Sequence, residues 1–172
     1  MEKEREKESH GLPNAKIGQI VDLVEKMSVL GGSSDREGLA YALGIETQSL
    51  SNPLRACELL GFVNLDGDSI TLSQVGKEFE QSDEERRKEL FGAQLSKIEP
   101  FSTIVRALKK TSEMEDSSML KLVKAKLVAA RKWKESTDRE MMRMIVNWAE
   151  YGKILSYDSK GRKVHYVDST NR

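Results

Sequence analysis

Residues 59–72, LLGFVNLDGDSITL, decide the fold of the first half of the chain. Apolar and polar residues alternate on both sides of a central Asp-Gly-Asp at residues 66–68. Such alternation is typical of half-buried strands, and Asp-Gly is a favoured pair in a tight hairpin turn. The stretch therefore predicts a two-stranded hairpin over about residues 62–72. Its inward-facing positions are Val63, Leu65, Ile70 and Leu72.

Three helical segments precede this hairpin. The first has apolar residues at helical spacing from Ile17 to Met27, and two glycines at 31–32 end it. The second is short and has Ser34 or Asp35 as its candidate cap, while the third ends at Gly61. Three helices followed by a two-stranded ribbon is the order of a winged helix.

The same plan recurs near the C-terminus. Residues 137–140, Thr-Asp-Arg-Glu, have the capping-box pattern and predict the start of a helix that Gly152 closes. Alternating residues then predict a second hairpin over about residues 154–167. Aligning Gly61 with Gly152 places this repeat 91 residues after the first. We predict a mainly α chain with small β-hairpins (α+β), built as tandem winged-helix units.

A helical stretch from Ser82 to about Lys110 connects the two units, and Ser82 with Glu85 forms another capping-box pattern. Residues 111–118 are polar and lack periodicity, which predicts a loop. The predicted domains are a flexible charged tail at 1–13, a first winged-helix unit at 14–80, and a helical connector plus second winged-helix-like unit at 81–172.

The composition limits the class of protein. With 38% apolar and 33% charged residues, the chain is too apolar to be wholly disordered and too polar for a membrane protein. It has no apolar run near the roughly 18 residues of a spanning helix, and its N-terminus lacks a signal peptide's apolar stretch. A lone cysteine, Cys57, cannot form an internal disulfide. We expect a cytoplasmic protein without membrane insertion.

Catalytic chemistry has little support in the sequence. The only histidines are His10 in the tail and His165 on a predicted strand, and Cys57 lies on the apolar face of a helix. Lys77 follows a glycine, but Glu78 comes next and the upstream glycine of a phosphate loop is missing. We therefore predict no enzyme activity, no metal and no cofactor.

Several stretches together resemble a known family. They are LLGFV at 59–63, ITLS at 70–73 with Gly76 and Phe79, ERRKELF at 85–91, IVNWAEY at 145–151, and Tyr157-Asp158. In this order and spacing they resemble the AAA-associated C-terminal domain of nitrate/sulfonate/bicarbonate-type ABC transporter ATPase subunits, over roughly residues 13–168. The ATPase itself is missing from the sequence. The resemblance thus implies a regulatory or docking module, which we expect to stand alone.

The zero net charge of the chain conceals a basic C-terminal third. Residues 1–116 carry a net charge of −7, whereas residues 117–172 carry +7. A candidate surface for an acidic protein or nucleic acid lies around the predicted last helix. Its cations are on that helix, just before that helix, and on the hairpin that follows. With one amide, these candidates are Lys132, Lys134, Arg139, Arg143, Asn147, Lys160, Arg162 and Lys163.

The first unit offers a weaker candidate surface on its third helix. Its side chains can hydrogen-bond base edges, and they are Gln48, Ser51, Asn52 and Arg55. Against DNA binding here, Pro53 shortens the helix, and the hairpin tip at 66–68 is acidic. Residues 16–76 also contain 4 Lys or Arg against 8 Asp or Glu. Charge alone therefore disfavours this unit as a DNA reader.

Two hypotheses follow from the sequence. The first is a non-catalytic docking module that binds a protein partner, which the resemblance implies to be an ABC-type ATPase. The alternative is a DNA-binding transcriptional regulator that uses the basic second unit. The basic residues also fit a merely solvated face, and homodimer formation stays open.

Overall fold

The computed structural model describes residues 11–168, which fall into two units. The N-terminal unit is Pro13–Phe91, and the C-terminal unit is residues 92–168 with Gly11 and Leu12. The described residues form eight α-helices and two three-stranded sheets, which confirms the predicted mainly helical α+β class. Most of the predicted charged tail lies outside the described residues.

The N-terminal unit contains a helix, a short strand, two helices, a hairpin and a further helix. In order they are α1 (Ile17–Val29), β1 (Ser33–Asp35), α2 (Arg36–Leu43), α3 (Ser51–Leu59), β2 (Val63–Asp66), β3 (Ser69–Leu72) and α4 (Gln74–Gln81). Helix α5 (Glu84–Leu95) begins in this unit, and the boundary between the units falls within it.

The predicted first hairpin is confirmed, and it belongs to a larger sheet. β2 and β3 pair antiparallel with Leu65 opposite Ile70. β1 pairs with the other edge of β3, giving the order β1-β3-β2. β1 is not predicted from the sequence, because a three-residue strand held by backbone hydrogen bonds has too few residues for an alternation signal.

Phenylalanine rings form the centre of the N-terminal core. Phe62, fully buried at the start of the hairpin, lies 4.6 Å from the Phe79 ring and 6.3 Å from the Phe91 ring. Gly76 on α4 packs so closely that a Cβ there would overlap the carbonyl oxygen of Phe62. Cys57 is also fully buried, and burial raises the pKa of its thiol. Close packing of this kind leaves no room for added atoms.

Arg87 connects α5 with two other helices of the N-terminal unit. Its guanidinium donates to the carbonyl oxygens of Phe79 at 3.0 Å and Glu80 at 2.7 Å. It also pairs with Glu25 of α1 at 2.8 Å and lies over the Phe79 ring. These contacts assign a packing role to the ERRKELF stretch of the sequence.

Side-chain hydrogen bonds identify the capping residues of two predicted helices. Asp35, not Ser34, caps α2 by accepting from the backbone N–H of Gly38 at 2.7 Å. At α5 the predicted cap Ser82 is wrong. Asp83 accepts from the backbone N–H of Arg86 at 2.8 Å, whereas the Ser82 hydroxyl donates backward to Glu78.

The C-terminal unit repeats the order of the N-terminal one. Its elements are the end of α5, then α6 (Phe101–Thr111), β4 (Glu113–Glu115), α7 (Asp116–Lys126), a 3-10 turn (Val128–Lys132), α8 (Glu135–Tyr151), β5 (Leu155–Asp158) and β6 (Lys163–Tyr166). The sheet order is β4-β6-β5, which matches the first sheet. The second predicted hairpin is therefore confirmed. The order fits the predicted winged-helix plan, although assignment to that class stays a prediction.

The predicted loop at 111–118 is wrong. Within it, β4 pairs antiparallel with β6, with Met114 opposite Val164, and α7 begins at Asp116. As at β1, backbone pairing to an existing hairpin makes this strand, so polar side chains do not prevent it.

The start of α8 differs from the prediction, whereas Gly152 caps the end of the helix as predicted. The helix begins at Glu135, two residues before the predicted capping box, and the Lys134 side chain makes no capping bond. Glu135 and Asp138 instead place negative charge in the first turn, which favours a helix N-terminus. At the other end Gly152 has φ −75°, and Lys153 takes the left-handed conformation at φ 56°. The repeat therefore aligns Gly61 with Lys153, 92 residues on rather than 91.

Gly92 allows α5 to come close to the backbone of Gly152. A Cβ on Gly92 of α5 would overlap the carbonyl oxygen of Gly152. Nearby, the fully buried Trp148 stacks on Phe101 with ring centroids 6.1 Å apart. The C-terminal core therefore joins α5, α6 and α8. No helix among residues 11–168 has the length and apolar character needed to cross a bilayer.

Candidate interaction groove

A groove of about 520 Å³ lies in the C-terminal unit, between α7, α8 and the β5–β6 hairpin. We call it the α7–α8 groove. Its apolar floor consists of Met119, Leu120, Met142 and Val146. Its polar rim consists of Asp116, Ser117, Glu135, Asp138, Arg139, Arg143, Asn147, Glu150, Tyr157 and Arg162.

Helical spacing brings three predicted candidates to the rim. Arg139, Arg143 and Asn147 are four residues apart along α8, so they share one face of that helix. All three are exposed and line the groove, and Glu150 continues the same row. The opposite face of α8 is buried. The predicted polar face of this helix is therefore one wall of the groove.

Two of the groove arginines are paired with carboxylates that also line it. Arg139 lies 3.0 Å from Glu135, and Arg162 lies 3.2 Å from Asp116. The hydrogen bond to Asp116 raises the pKa of Arg162. These pairs neutralise much of the positive charge that the sequence predicts here.

Asp116 holds the hairpin against the start of α7. Its Oδ2 accepts from the Tyr157 hydroxyl at 3.0 Å and from Arg162 Nε, and its backbone N–H donates to the Arg162 carbonyl at 2.9 Å. Burial, and then the hydrogen bond to Asp116, raises the pKa of Tyr157. These hydrogen bonds hold together the residues that line one side of the groove.

Asp138 is a fourth carboxylate of the rim, with a deeper position than the others. Its Oδ2 pairs with Lys124 at 2.9 Å, and its side chain is 16% exposed. Within the described part of the chain its buried Oδ1 has no hydrogen-bond partner. The groove therefore combines carboxylates and arginines around an apolar floor.

A model of the C-terminal AAA-associated domain family matches residues 38–158, which is more than two thirds of the chain. The chain belongs to this family. The predicted resemblance is thereby confirmed. Domains of this family are associated parts of ATPase-type proteins and not their catalytic parts. No curated protein and no solved structure matches the chain.

Arg143 differs from the other groove arginines of this AAA-associated domain. Its side chain is exposed, and within residues 11–168 it forms no hydrogen bond or ion pair. Neighbouring positions on the groove wall are Arg139, already paired, and Asn147, whose amide can both donate and accept. Among the described residues, Arg143 is therefore the groove arginine that is available to a binding partner.

The remaining basic candidates of the C-terminal unit do not line the groove. Lys163 pairs with Glu113 of β4 at 2.9 Å, which raises the pKa of Lys163 and lowers that of Glu113. Lys160 is exposed in the hairpin turn, and Lys132 and Lys134 are exposed before α8. The structure thus brings together Arg139, Arg143, Asn147 and Arg162, and separates the four lysines from them.

The weaker candidates lie together at the start of α3 in the N-terminal unit. Gln48, in a 3-10 turn, and Ser51 and Asn52 are exposed, whereas Arg55 is half-buried. Pro53 lies in the first turn of α3, which is nine residues long. This length fits the prediction that Pro53 shortens the helix.

The carboxylates of the groove were missed in the sequence analysis. Glu135 and Arg139 are four residues apart, so their pairing was readable from the sequence as a helical ion pair. Asp116 and Arg162 are 46 residues apart and meet through the fold alone. Among residues 11–168, no group of three or more His, Cys, Asp or Glu could hold a metal ion.

Proposed function

We propose that this AAA-associated domain is a non-catalytic docking module that binds the ATPase of an ABC transporter through the α7–α8 groove. Family membership supports the ATPase as partner. The charge balance of the groove supports a protein as the ligand, because its rim mixes four carboxylates with three arginines. Such a role places the protein in the cytoplasm, where transporter ATPases act.

The same balance disfavours nucleic acid in the groove. Proteins bind duplex DNA largely by neutralising phosphates with Lys and Arg, and carboxylates nearby repel the phosphates. Here Asp116 and Glu135 hold two of the three arginines. An apolar floor beneath a mixed polar rim is the arrangement found in protein–protein interfaces. The groove therefore suits a protein surface better than a phosphate backbone.

Exposed lysines outside the groove support the DNA-binding alternative. Lys132, Lys134 and Lys160 are exposed outside the groove, and within residues 11–168 their side chains form no ion pair. Residues 92–168 carry a net charge of +6. A DNA-binding regulator would use these lysines, so they provide the matched control for the groove.

The deciding experiment titrates the full chain against two ligands at about 50 and 200 mM salt. One is a short mixed-sequence DNA duplex, and the other is the purified ATPase subunit of a nitrate/sulfonate/bicarbonate-type transporter. We expect the ATPase to bind and the DNA to bind weakly even at low salt. Tight DNA binding whose logarithm falls steeply with salt, without ATPase binding, would overturn the proposal.

Paired variants locate the surface. Arg143→Ala with Arg162→Ala removes two groove cations, and Lys132→Ala with Lys160→Ala removes two cations elsewhere. We expect the groove pair to weaken ATPase binding about tenfold or more and the lysine pair to leave it within about twofold. The reverse order of effects, measured on DNA, would favour the regulator.

A further inference from the structure

We infer that the α7–α8 groove binds an amphipathic peptide segment of the partner, which carries a carboxylate for Arg143 and a cation for Glu150. This inference rests on the proposed docking function and adds the chemistry of the segment that docks. The partner segment is thereby defined by two opposite charges and the apolar side chains between them.

The carboxylate is assigned by Arg143. Each of the other two groove arginines is already paired with a carboxylate of this unit. Arg143 has no such partner within residues 11–168. A guanidinium beside an apolar surface favours a planar anion that it can bind through two parallel hydrogen bonds. An Asp or Glu side chain of the segment supplies that anion.

The cation is assigned by Glu150. Its side chain is exposed at the other end of the groove wall, and its Oε2 accepts from the Tyr157 backbone N–H at 3.4 Å. One long hydrogen bond leaves most of the acceptor capacity of this carboxylate unused. A Lys or Arg of the segment can use it, with Asn147 offering polar contacts midway.

The spacing of the two charges follows from the helix. Arg143 and Glu150 are seven residues apart on α8, which is about 10 Å along the helix axis. Seven positions of a docking helix span the same length, as do about three positions of an extended strand. The segment therefore carries its acidic and basic side chains at one of these two spacings.

Apolar side chains between the charges are required by the groove floor. Met119 and Val146 are buried beneath the rim, and Leu120 and Met142 are half-buried. Methionine side chains adapt to differently shaped partners. A purely charged ligand, such as a phosphate, would leave this floor wet and would face Asp116 and Glu135 across the groove. A mixed peptide covers the floor and matches both charges.

The test starts with a random peptide library of about 12 residues, long enough for three helical turns, displayed on phage and selected on the full chain. We expect enriched peptides to combine an acidic residue with apolar residues and a basic residue at one of the two spacings. Peptides without the acidic residue, or no enrichment at all, would overturn the inference.

Fluorescence anisotropy then compares an enriched peptide on three proteins. Arg143→Glu should weaken binding about tenfold or more, since it replaces an attraction by a repulsion. Arg106→Glu is the matched control, because Arg106 is an exposed mid-helix arginine of α6 outside the groove. It should change binding by less than about twofold. Equal losses of peptide affinity in both variants would show that net charge alone causes the effect. That result would refute the groove as the binding site.

A reversed peptide gives the complementary measurement. Replacing its acidic residue by Arg should abolish binding to the wild type and restore it to Arg143→Glu. The helical circular dichroism of both variants should match the wild type, because both arginines are exposed. If the reversed peptide does not recover binding, Arg143 does not contact the carboxylate.

The ATPase titration separates this inference from the docking function. If the ATPase binds the wild type, Arg143→Glu and Arg106→Glu equally, docking stands and the groove assignment fails. If the peptides bind as expected and the ATPase does not, the groove stands and its partner is another protein. If sedimentation shows a dimer that the peptide dissociates, the occupant is a second copy, which also overturns the inference.

Discussion

Arg36 begins α2 of the N-terminal unit and pairs at 3.6 Å with Asp68, the residue before β3. In the C-terminal unit Asp116 begins α7 and pairs at 3.2 Å with Arg162, the residue before β6. The positions are equivalent and the charges are exchanged. Both units thus join the start of the second helix to the hairpin by an ion pair. The acidic residue lies on the hairpin in one unit and on the helix in the other.

The two units also differ at equivalent backbone positions. Gly32 and Gly61 of the N-terminal unit have φ of 85° and 78°. Their counterparts are Ser112 at 67° and Lys153 at 56°. Side chains with a Cβ adopt this region at a cost of about 1–2 kcal/mol per residue. The C-terminal unit therefore contains strain that glycine avoids in the other.

The largest difference is the length of the third helix. α3 has nine residues and follows a 3-10 turn, whereas α8 has seventeen. The additional turns at the start of α8 hold Glu135, Asp138, Arg139 and Met142, all of which line the groove. Part of the candidate site therefore lies where the two units differ, while Asp116 and Arg162 lie at positions that the two units share.

The largest expected effects test the close approaches in each unit. Gly76→Ala and Gly92→Ala each place a Cβ against a backbone carbonyl, of Phe62 and Gly152 respectively. Because backbone cannot rotate away as a side chain can, each should lower the free energy of unfolding by about 2–3 kcal/mol. Urea denaturation followed by circular dichroism measures the loss.

Gly18→Ala is the control for both variants. A Cβ at Gly18, in the first turn of α1, has nothing within 4 Å. It should leave stability unchanged or raise it by up to about 1 kcal/mol, because alanine is the better helix former. If Gly92→Ala behaves like this control, the approach of α5 to Gly152 is wrong.

A smaller effect of opposite sign tests the left-handed positions. Ser112→Gly should raise the free energy of unfolding by up to about 1 kcal/mol, because glycine adopts this φ without strain. The greater conformational entropy of glycine in the unfolded chain offsets part of that gain. The reciprocal change Gly32→Ser should lower it by a similar amount. Thermal denaturation of the pair checks whether the two units are alike at this position. Changes of the same sign would contradict the alignment of Gly32 with Ser112.

The smallest expected effect is a pH dependence confined to the second sheet. Lys163 lowers the pKa of Glu113 by a hydrogen bond and its charge, so the pair contributes stability above the unfolded-state pKa of Glu, about 4.3. That contribution is lost as the pH falls through the lower folded-state pKa. The stability difference between wild type and Glu113→Gln, followed by urea denaturation from about pH 2 to 7, should therefore vanish in acid.

Ser33 stands at the position of Glu113 in the first sheet, opposite Thr71. Ser33→Ala should change stability equally at every pH in that range. A difference for Glu113→Gln that persists unchanged in acid would show that the pair contributes nothing.

How far the sequence predicted this fold depends on what holds each element. Both hairpins were predicted because side-chain alternation and turn residues form them, as at Leu65 and Ile70. β1 and β4 were missed because backbone bonds to a neighbouring strand form them, and their polar residues show no pattern. The capping-box pattern at Thr137 predicts too late a start for α8, because the acidic first turn that begins at Glu135 precedes that pattern.

The site divides in the same way. The row of Arg139, Arg143 and Asn147 followed from helical spacing alone. Asp116, which pairs with Arg162, comes from another helix, and its place in the sequence puts it in the acidic part of the chain. Sequence patterns report one face of one element, whereas a groove is made where several elements meet.

The stacking of Trp148 on Phe101 has a spectroscopic consequence. Both tryptophans of the chain, Trp133 and Trp148, belong to the C-terminal unit. The N-terminal core contains the rings of Phe62, Phe79 and Phe91 and no indole. Intrinsic indole emission therefore reports on the C-terminal unit alone, and it provides an unlabelled optical signal for the half of the molecule that contains the groove.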